Sequence, residues 1–369
     1  MPSPIGGEHI LAANTVYEFH GVVTSQYGLR FASGTTIKGS SLGSGAFYYV
    51  GTGAALRSSG ITSHVICSYL SVFAPNGSAM LFSGNINYQL MLFFCGFFNC
   101  KAIGTISGFD VASIKSCIFS NTSNDFVNES GLVYDGTMNK ILLGGNVFQK
   151  FNTTSHVIEF SDSLTVSLID IEGNYFKYDS SFAAMVDSGC SITTAAIFRG
   201  NAFAGTVQAC EGFGPETVIW DFVANTGVKD SQIVGLTHLT ASSSTTFVST
   251  GVAVKVAGTT STEMNERFTG SNNRLTYTGV RDDLVSVDAS FTVDAAGNNK
   301  QISVYIAKKG TIRAASRSMV RVASGADNRS GVCLDLLNLQ TGDYIEVWAA
   351  NDTDTTSITV LEMTLRVIG

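Results

Sequence analysis

The chain has 369 residues, among them 38 glycines, 24 phenylalanines and only 4 prolines, and 14% of it is charged, against about 25% in an average soluble domain. So many aromatics with so few charges exclude a disordered chain. The net charge of −7 leaves no basic face for a phosphate backbone, so no nucleic-acid partner is expected. The most apolar stretch, Leu90 to Phe98, is far too short to cross a membrane, so no membrane insertion is expected either.

At the N-terminus, residues 1–13 lack the basic and apolar regions of a secretory signal. They are expected to form a docking or capping segment. From Asn14 onward, short strand-like runs alternate with Gly/Ser/Thr turns, as in Val16–Val23 and Leu29–Gly39.

Further along, an internal repeat emerges. Gly-Asn-x-Phe follows an apolar run at Gly145–Phe148, Gly173–Phe176 and Gly200–Phe203, with its phenylalanines 28 and 27 residues apart. Degenerate copies flank the trio: Ser116–Phe119 lies 29 residues upstream, Gly96–Phe98 a further 21, and Ala224-Asn225-Thr226 follows downstream. Strand-rich units of this length with no helical stretch between them predict the coils of a right-handed parallel β-helix over 14–238. The repeated Asn is expected to stack with its neighbours at a turn, and the Phe to stack inside the coil. Seven cysteines without a CxxC pair read as reduced, buried apolar residues.

Composition changes over 239–266, where Ser/Thr-rich stretches bracket Gly251–Val256, and this segment is expected to be a linker or neck. Over 267–369 the strands become longer and alternate, as in Leu284–Val293, Lys300–Ala307, Asp343–Ala350 and Ser357–Val367. Turns such as Thr341-Gly342-Asp343 separate them, and the pattern predicts an antiparallel jelly-roll sandwich.

The segment Leu339-Gln340-Thr341-Gly342-Asp343-Tyr344-Ile345-Glu346-Val347-Trp348-Ala349-Ala350-Asn351, with the terminal strand Leu365–Gly369, resembles the tumour-necrosis-factor-like and complement-head-like jelly rolls at the tips of bacteriophage tail fibres and spikes. The layout of a β-helix followed by a terminal jelly roll is similar to that of phage tailspikes. This resemblance implies a homotrimer in the virion tail, made in the host cytoplasm, with a host surface glycan or receptor and other virion tail proteins as partners. Adsorption without catalysis is the function it implies first. The alternatives are a spike depolymerase that cleaves surface polysaccharide, as a hydrolase or a lyase, and a purely structural virion component.

Depolymerase chemistry needs one protonated and one ionised carboxyl about 5 to 10 Å apart. Asp170 and Glu172 stand two apart on one strand, about 7 Å from each other, with Glu159 about a coil earlier, and these three form the candidate catalytic set. Sugar stacking needs exposed rings. Tyr48, Tyr49, Tyr69, Tyr88, Tyr134, Tyr175 and Tyr178 are available, most of them expected to pack within or between coils; Tyr134, Tyr175 and Tyr178 form the candidate glycan-binding set. The five histidines show no metal-ligand spacing, and Asp282-Asp283 and Asp352–Asp354 read as solvated loops, so neither metal nor cofactor is expected.

Overall fold

In the computed structural model, residues 1–41, 44–58, 61, 63–120, 130–149, 156–177, 183–204, 210–214, 219–228, 230–325 and 327–369 are described. The chain divides into Met1–Val228 and Lys229–Gly369. In the first unit every strand pairs in parallel with the strand three places on, which generates three sheets and hence a parallel β-helix with three strands per coil. The first sheet runs from Glu8–Ile10 to Cys210–Glu211, the second from Val16–Phe19 to Trp220–Val223, and the third from Gly21–Ser25 to Ala202–Ala204.

Alternation along each strand decides what the coil encloses. On the second sheet Leu92, Ile114, Leu143, Ile171 and Phe198 lie in register and are buried. On the third, Phe97, Phe119, Phe148, Phe176 and Phe203 form a column with ring centroids 4.7 to 5.0 Å apart and planes within 13° of parallel. Phe97, Phe119, Phe148 and Phe176 each bury a ring worth about 1.5–3 kcal/mol of transfer free energy.

The Gly-Asn-x-Phe motif explains the corner between the second and third sheets. Gly145, Gly173 and Gly200 have φ of 63, 65 and 62°, the left-handed turn that aims the next residue inward. That residue is the buried Asn. Asn146 donates from its backbone N–H and its Nδ2 to Asn174 Oδ1 at 3.0 and 2.9 Å, Asn174 does the same to Asn201, and Asn201 to Asn225. The second Nδ2 proton of each goes to a strand carbonyl, such as Leu143 O from Asn174 at 3.0 Å. Toward the N-terminus the ladder passes to Cys117, whose N–H donates to Asn146 Oδ1 at 2.9 Å, and to Cys95, whose N–H points at Cys117 Sγ. Both cysteines are buried free thiols occupying the Asn position.

Helix pairing begins at Glu8–Ile10, inside the segment expected to cap or dock. The unit Lys229–Gly369 is an antiparallel sandwich whose sheets enclose one core, including Val285, Val287, Phe291, Val304, Ile306, Val347 and Leu365. Residues 239–266 are not a separate neck. Ser243–Thr245 pairs with Ile358–Ile368, Val254–Lys255 with Tyr344–Asn351, and Thr260–Glu266 with Val234–Leu239. Their Ser/Thr content resembles that of a linker, yet alternating strands with one solvated face accept such residues equally well.

In the motif Leu339–Trp348, Asp343 is buried and anchors the turn before the strand Tyr344–Asn351. Lys308 Nζ lies 2.6 Å from its Oδ2, Lys309 contacts its other oxygen, and Gln340 N–H donates to it at 3.0 Å. Burial alone pushes the Asp343 carboxyl up, but the two ammonium groups and the N–H hold it down at about 2. Asp283 and Asp352 are also taken up by protein partners, Arg267 and Tyr277 for the first and Arg317 and Ser303 for the second.

Candidate functional site: the outer faces of the β-helix

Two isoleucines, Ile169 and Ile171, point into the coil from the strand Thr165–Glu172, so Asp170 and Glu172 share its outer face as expected. Glu172 Oε2 accepts a hydrogen bond at 3.2 Å from Arg199, its ladder neighbour. Asp170 sits half-buried between Leu142 and Ile197 in the ladder. Burial pushes its carboxyl up and Glu172 adds to this, while Arg199 and Lys115 oppose it.

Glu159 does not join them. It lies on Ile158–Phe160 of the first sheet, between Val133 and Met185, and so faces outward from a different side of the coil. Three strands per coil place residues one short strand apart on different faces, which linear spacing does not reveal. Burial raises the Glu159 carboxyl, Asp187 and Asp162 raise it further, and His156 opposes them. His156 Nε2 is 2.8 Å from Glu211 Oε2. Asp187 in turn lines a cavity of about 500 Å³ with Cys190, Ile192 and Trp220.

The tyrosine set separates as well. Tyr134 is 0% exposed, in an inward column with Phe82, Ile106 and Phe160, and its ring stacks on Phe160 at 5.6 Å. It has no face to offer a sugar, and among the described residues its hydroxyl has no hydrogen-bond partner. Tyr175 does face outward, on the third sheet. Tyr178 lies outside the described residues.

A larger aromatic surface lies nearer the N-terminus. Tyr48, Phe73 and Phe98 occupy one outward column of the third sheet, with centroids 5.8 and 5.4 Å apart. Gly96 makes this possible, since a Cβ there would come within 2.2 Å of the Phe98 ring that lies over it. At the adjoining corner Tyr69 and Phe94 stack at 5.1 Å with planes 10° apart, and are 38% and 45% exposed. Their φ values are 56 and 53°, so both occupy the left-handed turn position held by Gly145, Gly173 and Gly200, and by the small residues Ser116 and Ala224, in the later coils. A side chain there costs about 1–2 kcal/mol.

Tyr48 and Tyr69 were recognisable in sequence as available rings; Phe73, Phe94 and Phe98 were missed. The signal was present but shifted. Phe97, not Phe98, stands in register with Phe119, so Phe94-Cys95-Gly96-Phe97 is the true copy of Gly-Asn-x-Phe. That one-residue shift turns Phe98 from inside to outside.

No family model matches the chain, and no curated protein matches it. Among solved structures, it is similar to Eiger TNF from S. frugiperda at 12% identity, over 37% of this chain and 91% of that one, with a TM-score of 0.28. Murine APRIL is similar at 10% identity over 37% of this chain and 100% of its own, with a TM-score of 0.26. The tailspike protein of Acinetobacter baumannii phage AM24 is similar at 9% identity, over 98% of this chain and 78% of that one, with a TM-score of 0.25. At such scores these likenesses carry no weight for function.

Proposed function

We propose that this protein is a tail spike or tail fibre component of a bacteriophage virion that holds a host-surface glycan against the flank of its β-helix. The observation that carries the reading is the outward-facing surface formed by Tyr48 and the half-buried Phe73 and Phe98 with the neighbouring exposed pair Tyr69 and Phe94. Rings on the outside of a coil add nothing to its core, whereas the C–H face of a pyranose stacks readily on an aromatic face. The working assembly is a homotrimer attached through other tail proteins. The Leu339–Trp348 resemblance supports this, as does the exposed row Val332, Leu334 and Leu336 on Arg329–Leu339, an edge strand that needs a cover.

Binding to a panel of purified bacterial surface polysaccharides tests the reading. Retention of a polysaccharide at unchanged length, with loss of retention in Tyr48→Ala/Phe98→Ala, is expected. Failure to retain any of them would remove it, and inability of the isolated protein to block infection would favour a merely structural part.

A depolymerase is the second reading, favoured by one observation: the raised Glu159 carboxyl beside Asp187, which lines the 500 Å³ cavity. Glycoside hydrolysis uses a pair of carboxyl groups flanking the sugar. Release of defined oligosaccharides, abolished in Glu159→Gln, would establish it over adhesion alone.

A further inference from the structure

We infer that the Tyr69–Phe94 pair is a second saccharide-stacking site beside the Tyr48, Phe73 and Phe98 column, and that the ligand is an acidic oligosaccharide whose carboxylates reach Lys38 and Lys115. The inference rests on the glycan-binding reading above and adds to it both a site and a ligand class.

Backbone strain is the first ground. The corner position takes a left-handed turn, and the later coils fill it with small residues: Ser116, Gly145, Gly173, Gly200 and Ala224. Two successive coils instead keep large side chains there, although neither ring enters the core. Strained backbone of this kind persists where the side chain it carries has a task at the surface.

Access is the second. In ladder order this position reads Gly39, the last residue of its strand, then the turn residues Tyr69, Phe94 and Ser116. The ring pair therefore has a glycine on one side and a serine on the other, and no bulky side chain of that column covers its outer faces. A flat apolar ledge bounded by small residues suits the C–H face of a pyranose ring.

Charge is the third. The outward column immediately before the corner reads Glu18, Lys38, Ser68, Phe93, Lys115, Gly144, Glu172. Lys38 and Lys115 are both exposed and bracket the two coils that carry the rings. At a ladder spacing of about 4.8 Å they lie about 14 Å apart along the axis. Among the described residues neither lysine forms an ion pair. Glu18 places its carboxylate 3.5 Å from His20 Nε2, and Glu172, two coils beyond Lys115, is joined to Arg199. A ledge of rings with an ammonium group at each end is complementary to a saccharide bearing carboxylates, and it gives a chain of net negative charge a local attraction for an acidic polymer.

The test uses the full-length protein and a panel of purified bacterial capsular oligosaccharides containing uronic acid, each in native form and after reduction of its carboxyl groups. The native form of the recognised oligosaccharide is expected to bind about three- to tenfold more tightly than its reduced form at low salt, a margin that shrinks as salt is raised. Lys38→Gln/Lys115→Gln should erase the margin. Phe94→Gly should weaken both forms at least about tenfold while leaving the melting temperature unchanged or higher, because glycine relaxes the turn. Equal binding of native and reduced forms would overturn the acidic ligand and leave the glycan reading standing. A Phe94→Gly variant that melts several degrees lower and binds normally would make the pair a structural element. If no oligosaccharide of either form is bound, the glycan reading itself fails.

Discussion

Asn174 accepts two hydrogen bonds from Asn146 and donates to Asn201 and to Leu143 O, all inside the corner of the coil. Replacing it with alanine strands the buried Asn146 N–H and Leu143 carbonyl, each worth about 1–3 kcal/mol when unpaired. Asn174→Ala is therefore expected to destabilise the β-helix by about 2–4 kcal/mol, measured by denaturant unfolding, without changing glycan affinity. Asp343 gives the second unit a pH dependence. Its carboxyl is held at about 2, below the ordinary 3.8, so its contribution is complete above about 3.8 and is lost as pH falls through about 2. The melting temperature of that unit should fall over this window, and Asp343→Asn should both lower it at neutral pH and flatten the acid decline. Three intact Gly-Asn-x-Phe copies made the Asn and Phe roles readable in sequence. Cys95 hid the same position, because a thiol fills the Asn site without resembling it, and with that position hidden Phe94 could not be recognised as an outward ring.

At the scale of elements, the alternation of buried and exposed residues was legible strand by strand, and the face to which each strand belongs was not. Asp170 and Glu172 share a strand, so their common direction followed from alternation alone. Glu159 required knowing that each coil has three strands, and it lies on another sheet. The strand-rich neck was misread for a related reason: Val254–Lys255 is only two residues long and earns its place by pairing with Tyr344–Asn351, a partner some ninety residues away. The edge strand Arg329–Leu339 exposes Leu334 and Leu336 at 65% and 64%. Leu334→Lys/Leu336→Lys should leave the fold intact, by circular dichroism, and reduce the assembled mass measured by light scattering toward that of one chain. An unchanged mass would move the contact elsewhere.

For the whole molecule, the β-helix is a rigid, repetitive scaffold whose parallel ladders fix outward side chains at a spacing of about 4.8 Å. Function then depends on which outward columns depart from the repeat. The aromatic columns from Tyr48 to Phe98 depart from it most, and a neighbouring copy is the competing partner for the same rings. Hydroxyl-radical footprinting of the intact assembly separates these roles. Tyr48, Tyr69, Phe73, Phe94 and Phe98 are expected to be oxidised in the free assembly and to become protected when the recognised polysaccharide is added. Protection already complete in the free assembly, or oxidation unchanged by the polysaccharide, would contradict it.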